Sequence, residues 1–174
     1  SWATGGGMAN VRTGRQLEML ASIFTDRLFE QFREGEGASY SPDVSSSWPS
    51  TFDSGGNFTV MAQVKPESVE AFFVRARAIA KDLASKPVTP DELQRAIGPM
   101  LQRLARAQTG NMFWLSQLSG ATSEPMRVDN LLSWGADLKS MTPATLQKLA
   151  KRYLKANKTF SMVVAPEAVP NTRN

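Results

Sequence analysis

Two short runs in the first third of the chain alternate apolar and polar residues, and almost everything after them repeats with the period of a helix. After the turn Ser54-Gly55-Gly56, the residues Phe58, Val60, Ala62 and Val64 alternate with Asn57, Thr59, Met61 and Gln63. Before that turn, Tyr40, Pro42 and Val44 alternate with Ser39, Ser41 and Asp43, and the pattern continues loosely to Trp48. Successive strand side chains point to opposite faces, so two such runs joined by a glycine turn predict an antiparallel pair. Proline has no N–H to give a ladder, which suits the first strand to a sheet edge or bulge.

The helical segments surround this pair. From Arg15 to Arg33, Leu20, Phe24, Leu28 and Phe32 recur every four residues beside Leu17 and Ile23, with Glu18, Asp26 and Glu30 opposite. That spacing predicts an amphipathic helix ended by Gly35 and Gly37. Pro66 opens a second helix whose apolar face is Val69, Phe72, Phe73, Ala76, Ile79 and Leu83. Thr89-Pro-Asp-Glu92 is a capping box with proline at the first helical position. It opens a helix through Leu93, Ile97, Leu101 and Leu104, in which Gly98-Pro99 predicts a kink. A short element follows at Asn111–Leu118, then helices starting at Ser123-Glu-Pro125 and Thr142-Pro143. Phe160, Met162 and Val164 alternate and predict a last strand before Pro166. Clustered strands without repeated βαβ units indicate the α+β class, an antiparallel or mixed sheet with helices on one face and a truncated first strand. Residues 1–166 read as one domain and 167–174 as a loose polar tail.

A chain of 174 residues with 41% hydrophobic and 21% charged residues can bury a substantial core. Two absences exclude far more than these averages do. There is no histidine and no cysteine, so imidazole devices, thiolate nucleophiles, disulfides and His or Cys metal sites are ruled out within this chain. The start at Ser-Trp-Ala-Thr-Gly-Gly-Gly, without an initiator Met, looks like a cut through a longer polypeptide, and it carries no targeting signal. The net charge of +4 is concentrated: Thr142–Lys158 holds Lys148, Lys151, Arg152, Lys155 and Lys158 with no acid.

Few side chains suggest chemistry. Gly5-Gly6-Gly7 lacks the following Gly-Lys-Ser/Thr of a phosphate loop and reads as a turn. Glu34 and Glu36 read as solvated carboxylates of a turn. The basic segment places Lys148, Lys151, Arg152 and Lys155 opposite Leu146, Leu149 and Leu154, as a solvated helix face does, and no aromatic is interleaved for base stacking. Nucleic-acid binding is therefore not expected. Arg33, at a helix end, and Tyr40, on the strand beyond a glycine turn, bring a permanent cation and a phenolic donor onto neighbouring elements. Such a pair can hold a carbonyl or an oxyanion. On the residues alone, an ordinary structural role for both stands beside this reading.

The run Arg27-Leu28 … Arg33-Glu34 … Gly37-Ala-Ser-Tyr40-Ser-Pro42 resembles the C-terminal half of the pitrilysin/insulinase-type zinc metallopeptidases. Trp2-Ala-Thr-Gly-Gly, Val64-Lys-Pro-Glu67, Val88-Thr-Pro-Asp-Glu-Leu93, Asn111-Met-Phe-Trp-Leu115, Leu149-Ala-Lys-Arg-Tyr-Leu154 and Met162-Val-Val-Ala-Pro166 fit the same pattern, so the resemblance runs from about Trp2 to Pro166. It is closest to bacterial members described as zinc proteases.

The resemblance implies two homologous α+β halves closing around a peptide. The N-terminal half carries H-x-x-E-H and the zinc, and the C-terminal half contributes an Arg and a Tyr that contact the scissile peptide. Arg33 and Tyr40 match that Arg and Tyr in spacing and context. The chain departs from the whole-enzyme pattern in having no H-x-x-E-H, so no metal ligand is expected in it. The expectation is a substrate-clamping domain that is inactive alone, with zinc supplied by an N-terminal half and a peptide as substrate. A non-catalytic scaffold or partner subunit of the same family is the alternative.

Overall fold

The computed structural model describes residues 1–33 and 42–165, with residues 32 and 33 described in their backbone only. In chain order the elements are β1 (Trp2–Ala3), α1 (Val11–Arg33), β2 (Asp43–Ser47), β3 (Asn57–Met61), α2 (Val69–Ser85), α3 (Pro90–Ala107), α4 (Asn111–Leu118), α5 (Met126–Lys139) and α6 (Pro143–Tyr153). Short 3-10 turns at Met8–Asn10, Pro66–Ser68 and Ala156–Lys158 join them.

The three strands form one antiparallel sheet in the order β1-β3-β2. The register pairs Val44 with Val60, Ser46 with Phe58, and Phe58 in turn with Trp2, which puts these side chains on one face. That face is covered by α1. Phe58 is fully buried, its ring 5.8 Å from that of Phe24 on α1 and 6.1 Å from Trp2, edge-on at 70°. Offset and edge-on rings of this kind add to the area that they bury. Strand β2 lies at the sheet edge, as Pro42 foreshadows.

Helix α1 is the hub, packing against β2, α2, α3, α5 and α6. Its Leu17, Met19, Leu20, Ile23, Phe24 and Leu28 are all buried. It begins four residues earlier than its apolar repeat suggests, and runs through Gly14. A Cβ at Gly14 would lie 2.6 Å from Cγ and 2.7 Å from Cβ of Trp48, so only glycine lets the helix approach the end of β2 this closely. Arg15, 6% exposed, ties α1 to α5 through Asp137, the Asn130 carbonyl and Ser133, and stacks 5.0 Å from the centroid of Trp134.

The predicted helices form. The Gly98-Pro99 pair does not end or divide α3, which is continuous from Pro90 to Ala107. Pro99 forfeits one backbone hydrogen bond, but the residue before it has no Cβ to meet the proline ring, which removes part of the usual penalty. The last predicted strand does not form. Beyond Thr159, which makes an isolated bridge to Trp2, residues 160–165 carry no strand, and Phe160, Met162 and Val164 are exposed. The backbone of Phe160 exchanges hydrogen bonds with Ser1. Alternation by itself does not make a strand, which also needs backbone partners on a neighbouring strand. Residues 167–174 lie outside the described part of the chain.

Candidate functional site

The place singled out by the sequence is the junction between α1 and β2. Arg33 is the last residue of α1, at the helix end where its neighbours Gly35 and Gly37 had put it. Its side chain is not described, and Tyr40 lies outside the described residues, as do Glu34 and Glu36. What is described is the frame on which this junction is mounted. On one side stands the C-terminal half of α1, and on the other the start of an edge strand that has no second strand partner among the described residues.

The α1 side of that frame is held by a charged cluster. The Arg27 guanidinium donates through Nε to Glu92 Oε1 and through its Nη1 to Asp82 Oδ2, both at 2.7 Å. Glu92 is also the third residue of the capping box that opens α3. Its Oε2 accepts the Thr89 backbone N–H at 2.7 Å, while the Thr89 hydroxyl accepts the Glu92 backbone N–H at 3.1 Å. One carboxylate therefore caps α3 and grips α1 at once, and Arg27 reaches on to α2. Further out, Arg95 stands 3.9 Å from Glu30 and 3.2 Å from Asp91.

Arg27 and Glu92 are each 17% exposed at the side chain, so their charges are largely withdrawn from water. Burial alone would push the Glu92 carboxyl up. The hydrogen bonds from Arg27 and Thr89 and the charge of Arg27 outweigh it and hold the group below its usual range. Burial would likewise lower Arg27, but Glu92 and Asp82 raise it. Asp26, on the outer side of α1, moves the other way: desolvation pushes it up, and the charge of Arg95 only partly counters this. The cluster is thus a fixed ionic clamp that positions three helices. Both Asp82 and Glu92 accept a hydrogen bond from Arg27.

The same observation bears on zinc. The chain has no His or Cys, and the two carboxylates that converge below the junction are occupied by Arg27. Among the described residues no three Asp or Glu side chains converge as a metal site. The donor set does not fit a zinc ion. Among the described residues no helix is long and apolar enough to cross a membrane.

In the sequence Arg27 stands out only as part of the run that carries the family resemblance, not as a positioning residue. Its signal was slight: a cation set between the buried Phe24 and Leu28 of an amphipathic helix. Glu92 was legible as a cap, but its second contact depends on α1 and α3 meeting in space.

Sequence and fold comparisons agree with this architecture. No curated protein sequence matches the chain significantly. Among solved structures, a protease from Helicobacter pylori superposes with a TM-score of 0.74 at 11% identity, covering 90% of this chain and 38% of that one. The peptidase M16 inactive domain from Pseudomonas fluorescens gives a TM-score of 0.70 at 17% identity, over 90% of this chain and 38% of that one. An inactive peptidase domain from Bordetella parapertussis gives 0.70 at 17% identity, over 97% and 91%. The chain thus spans well under half of the first two of these proteins. At such identities the likeness establishes the fold. A family model described as the peptidase M16 inactive domain matches residues 7–100, which take in α1, the β2–β3 pair, α2 and the capped start of α3. With more than half of its length so matched, the chain belongs to the peptidase M16 inactive-domain family.

Proposed function

We propose that this chain is the substrate-clamping, C-terminal domain of a zinc metalloendopeptidase, inactive without a companion half that carries H-x-x-E-H and the metal. The observation that carries the reading is the family match over residues 7–100, in a chain without a single histidine or cysteine. A domain of this family with neither histidine nor cysteine needs, in this reading, a catalytic partner, in the same polypeptide or in a second subunit.

In this reading Arg33 and Tyr40 act on the peptide. A guanidinium offers a permanent charge and a rigid fork of donors, and a phenol offers one O–H. Aimed at the scissile carbonyl, both are worth more as negative charge develops on its oxygen than in the ground state, which is the requirement for accelerating the chemical step. Arg27 is a positioning residue here, fixing the end of α1 on which Arg33 is carried. The edge of β2, which has no second strand partner among the described residues, offers backbone groups along which an extended peptide can align.

The test uses the complete protease. Arg33→Ala and Tyr40→Phe are each expected to lower kcat by on the order of 10²–10³, the usual effect of losing one oxyanion donor. Zinc content and melting temperature should stay at wild-type values. Near-wild-type kcat/KM in both variants would remove these residues from the site. Loss of activity in step with loss of melting temperature would assign them to packing instead.

A further inference from the structure

A trough between α2 and α6 is left open by small side chains. Ala78, Ala80 and Ala84 on α2 face Leu154 and Ala156 at the far end of α6, with the buried Trp2 at the base. The cavity measures about 510 Å³, within the range of roughly 300–1,000 Å³ that ligand sites occupy. Its rims are basic on both sides. Arg77 and Lys81 stand one helical turn apart on α2, and Lys151 and Lys155 stand on the α6 side. All four are exposed, and among the described residues no Asp or Glu lines the trough and none of the four is in an ion pair.

The sequence shows a run of cations without acids between Thr142 and Lys158, and that run reads as a solvated helix face. The fold divides it. Lys148 and Arg152 lie outside the trough, whereas Lys151 and Lys155 join two cations that are distant in sequence across an apolar floor. A flat membrane surface or a nucleic-acid duplex does not follow a concave groove down to an alanine floor. A single alkyl carboxylate brings one negative charge to four cations. Four cations with no carboxylate partner among the described residues, Arg77 lying 5.5 Å from the centroid of Phe73, complement an occupant with several negative charges flanking apolar side chains.

We propose that this trough is a docking site for an acidic amphipathic segment of a partner polypeptide, with apolar side chains on the alanine floor and carboxylates against Arg77, Lys81, Lys151 and Lys155. The site lies away from the α1–β2 junction and does not depend on the role proposed for Arg33 and Tyr40. Rim cations of this kind govern association rate and choice of partner, and the apolar floor supplies the residence.

The test measures binding of a fluorescein-labelled 14-residue peptide of leucine and glutamate, patterned as an amphipathic helix, to this 174-residue chain by anisotropy. A lysine-for-glutamate version of the peptide is the control. The double variant Lys81→Glu/Lys151→Glu should weaken the acidic peptide at least tenfold. Lys148→Glu/Arg152→Glu makes the same change in net charge on α6 outside the trough, and should alter binding less than threefold. Ala78→Leu, an exposed position that fills the floor without altering charge, should weaken binding at unchanged melting temperature. Equal loss in the two charge-reversal pairs, or no loss in Ala78→Leu, would overturn the proposal in favour of diffuse attraction to a basic surface. Tighter capture of a DNA duplex, of dodecanoate or of phosphatidylglycerol vesicles through the same four cations would overturn the choice of occupant.

Discussion

Arg27 and Glu92, 65 residues apart in sequence, are joined by a 2.7 Å hydrogen bond between α1 and α3, and the same Glu92 carboxylate closes the N-terminal cap of α3. A side chain that serves two helix contacts cannot be replaced without disturbing both. Arg27→Met keeps most of the stem's packing but leaves Glu92 and Asp82 without their shared cation. Unfolding by urea should show a loss of about 2 kcal/mol, below the 3–5 kcal/mol seen when one partner of a fully buried pair is removed, because Asp82 is 41% exposed. A loss under about 0.5 kcal/mol would mean that the clamp is no stronger than a surface pair.

The same contact predicts a pH dependence. The Glu92 pKa is lower in the folded chain than in the unfolded one, so the unfolded state binds its proton first on acidification. The stabilisation is fully present above the unfolded value near 4.5, and is lost as pH falls through the lower folded value. Arg27 stays charged throughout this window. Stability measured from pH 7 down to pH 3 should fall less steeply below about pH 4.5 in Glu92→Gln than in the wild type, from a lower starting point. Parallel acid limbs would show that other carboxylates govern acid unfolding.

Gly14 sits inside α1, where alanine is ordinarily better by roughly 1 kcal/mol. The neighbours of an added Cβ are Cβ and Cγ of Trp48, held 2.7 and 2.6 Å away. These atoms lie next to the backbone and cannot swing aside as the tip of a side chain can. Gly14→Ala should therefore destabilise, by about 1–3 kcal/mol as overpacked sites do, against the propensity scale. A melting temperature above wild type would show that β2 yields.

Phe58 occupies the middle strand and meets both Trp2 and Phe24. Phe58→Ala removes a fully buried ring from the seam between sheet and α1, and should cost about 3–5 kcal/mol. Phe58→Leu retains most of the volume and should cost much less. Equal losses in the two variants would point to ring-specific contacts as the larger share.

How much the amino-acid order settles on its own depends on the range of the interaction involved. The helices, their caps at Thr89 and Thr142, and the β2–β3 pair follow from neighbours a few residues apart, and those signals are complete within each segment. The absence of histidine and cysteine is a matter of composition alone. The roles proposed for Arg33 and Tyr40 rest on spacing and context alone, since nothing local distinguishes a substrate-binding Arg from any other at a helix end. The missing strand at Phe160–Val164 shows the reverse case: alternation states which face a strand would present, but a strand exists only where a neighbour supplies backbone partners. The clamp at Arg27, the glycine demanded by Trp48, and the trough that gathers Arg77 and Lys81 with Lys151 and Lys155 arise between segments far apart in the chain. They depend on how α1, α2, α3 and α6 cross, and that is decided by packing of the whole core rather than by any window of the sequence.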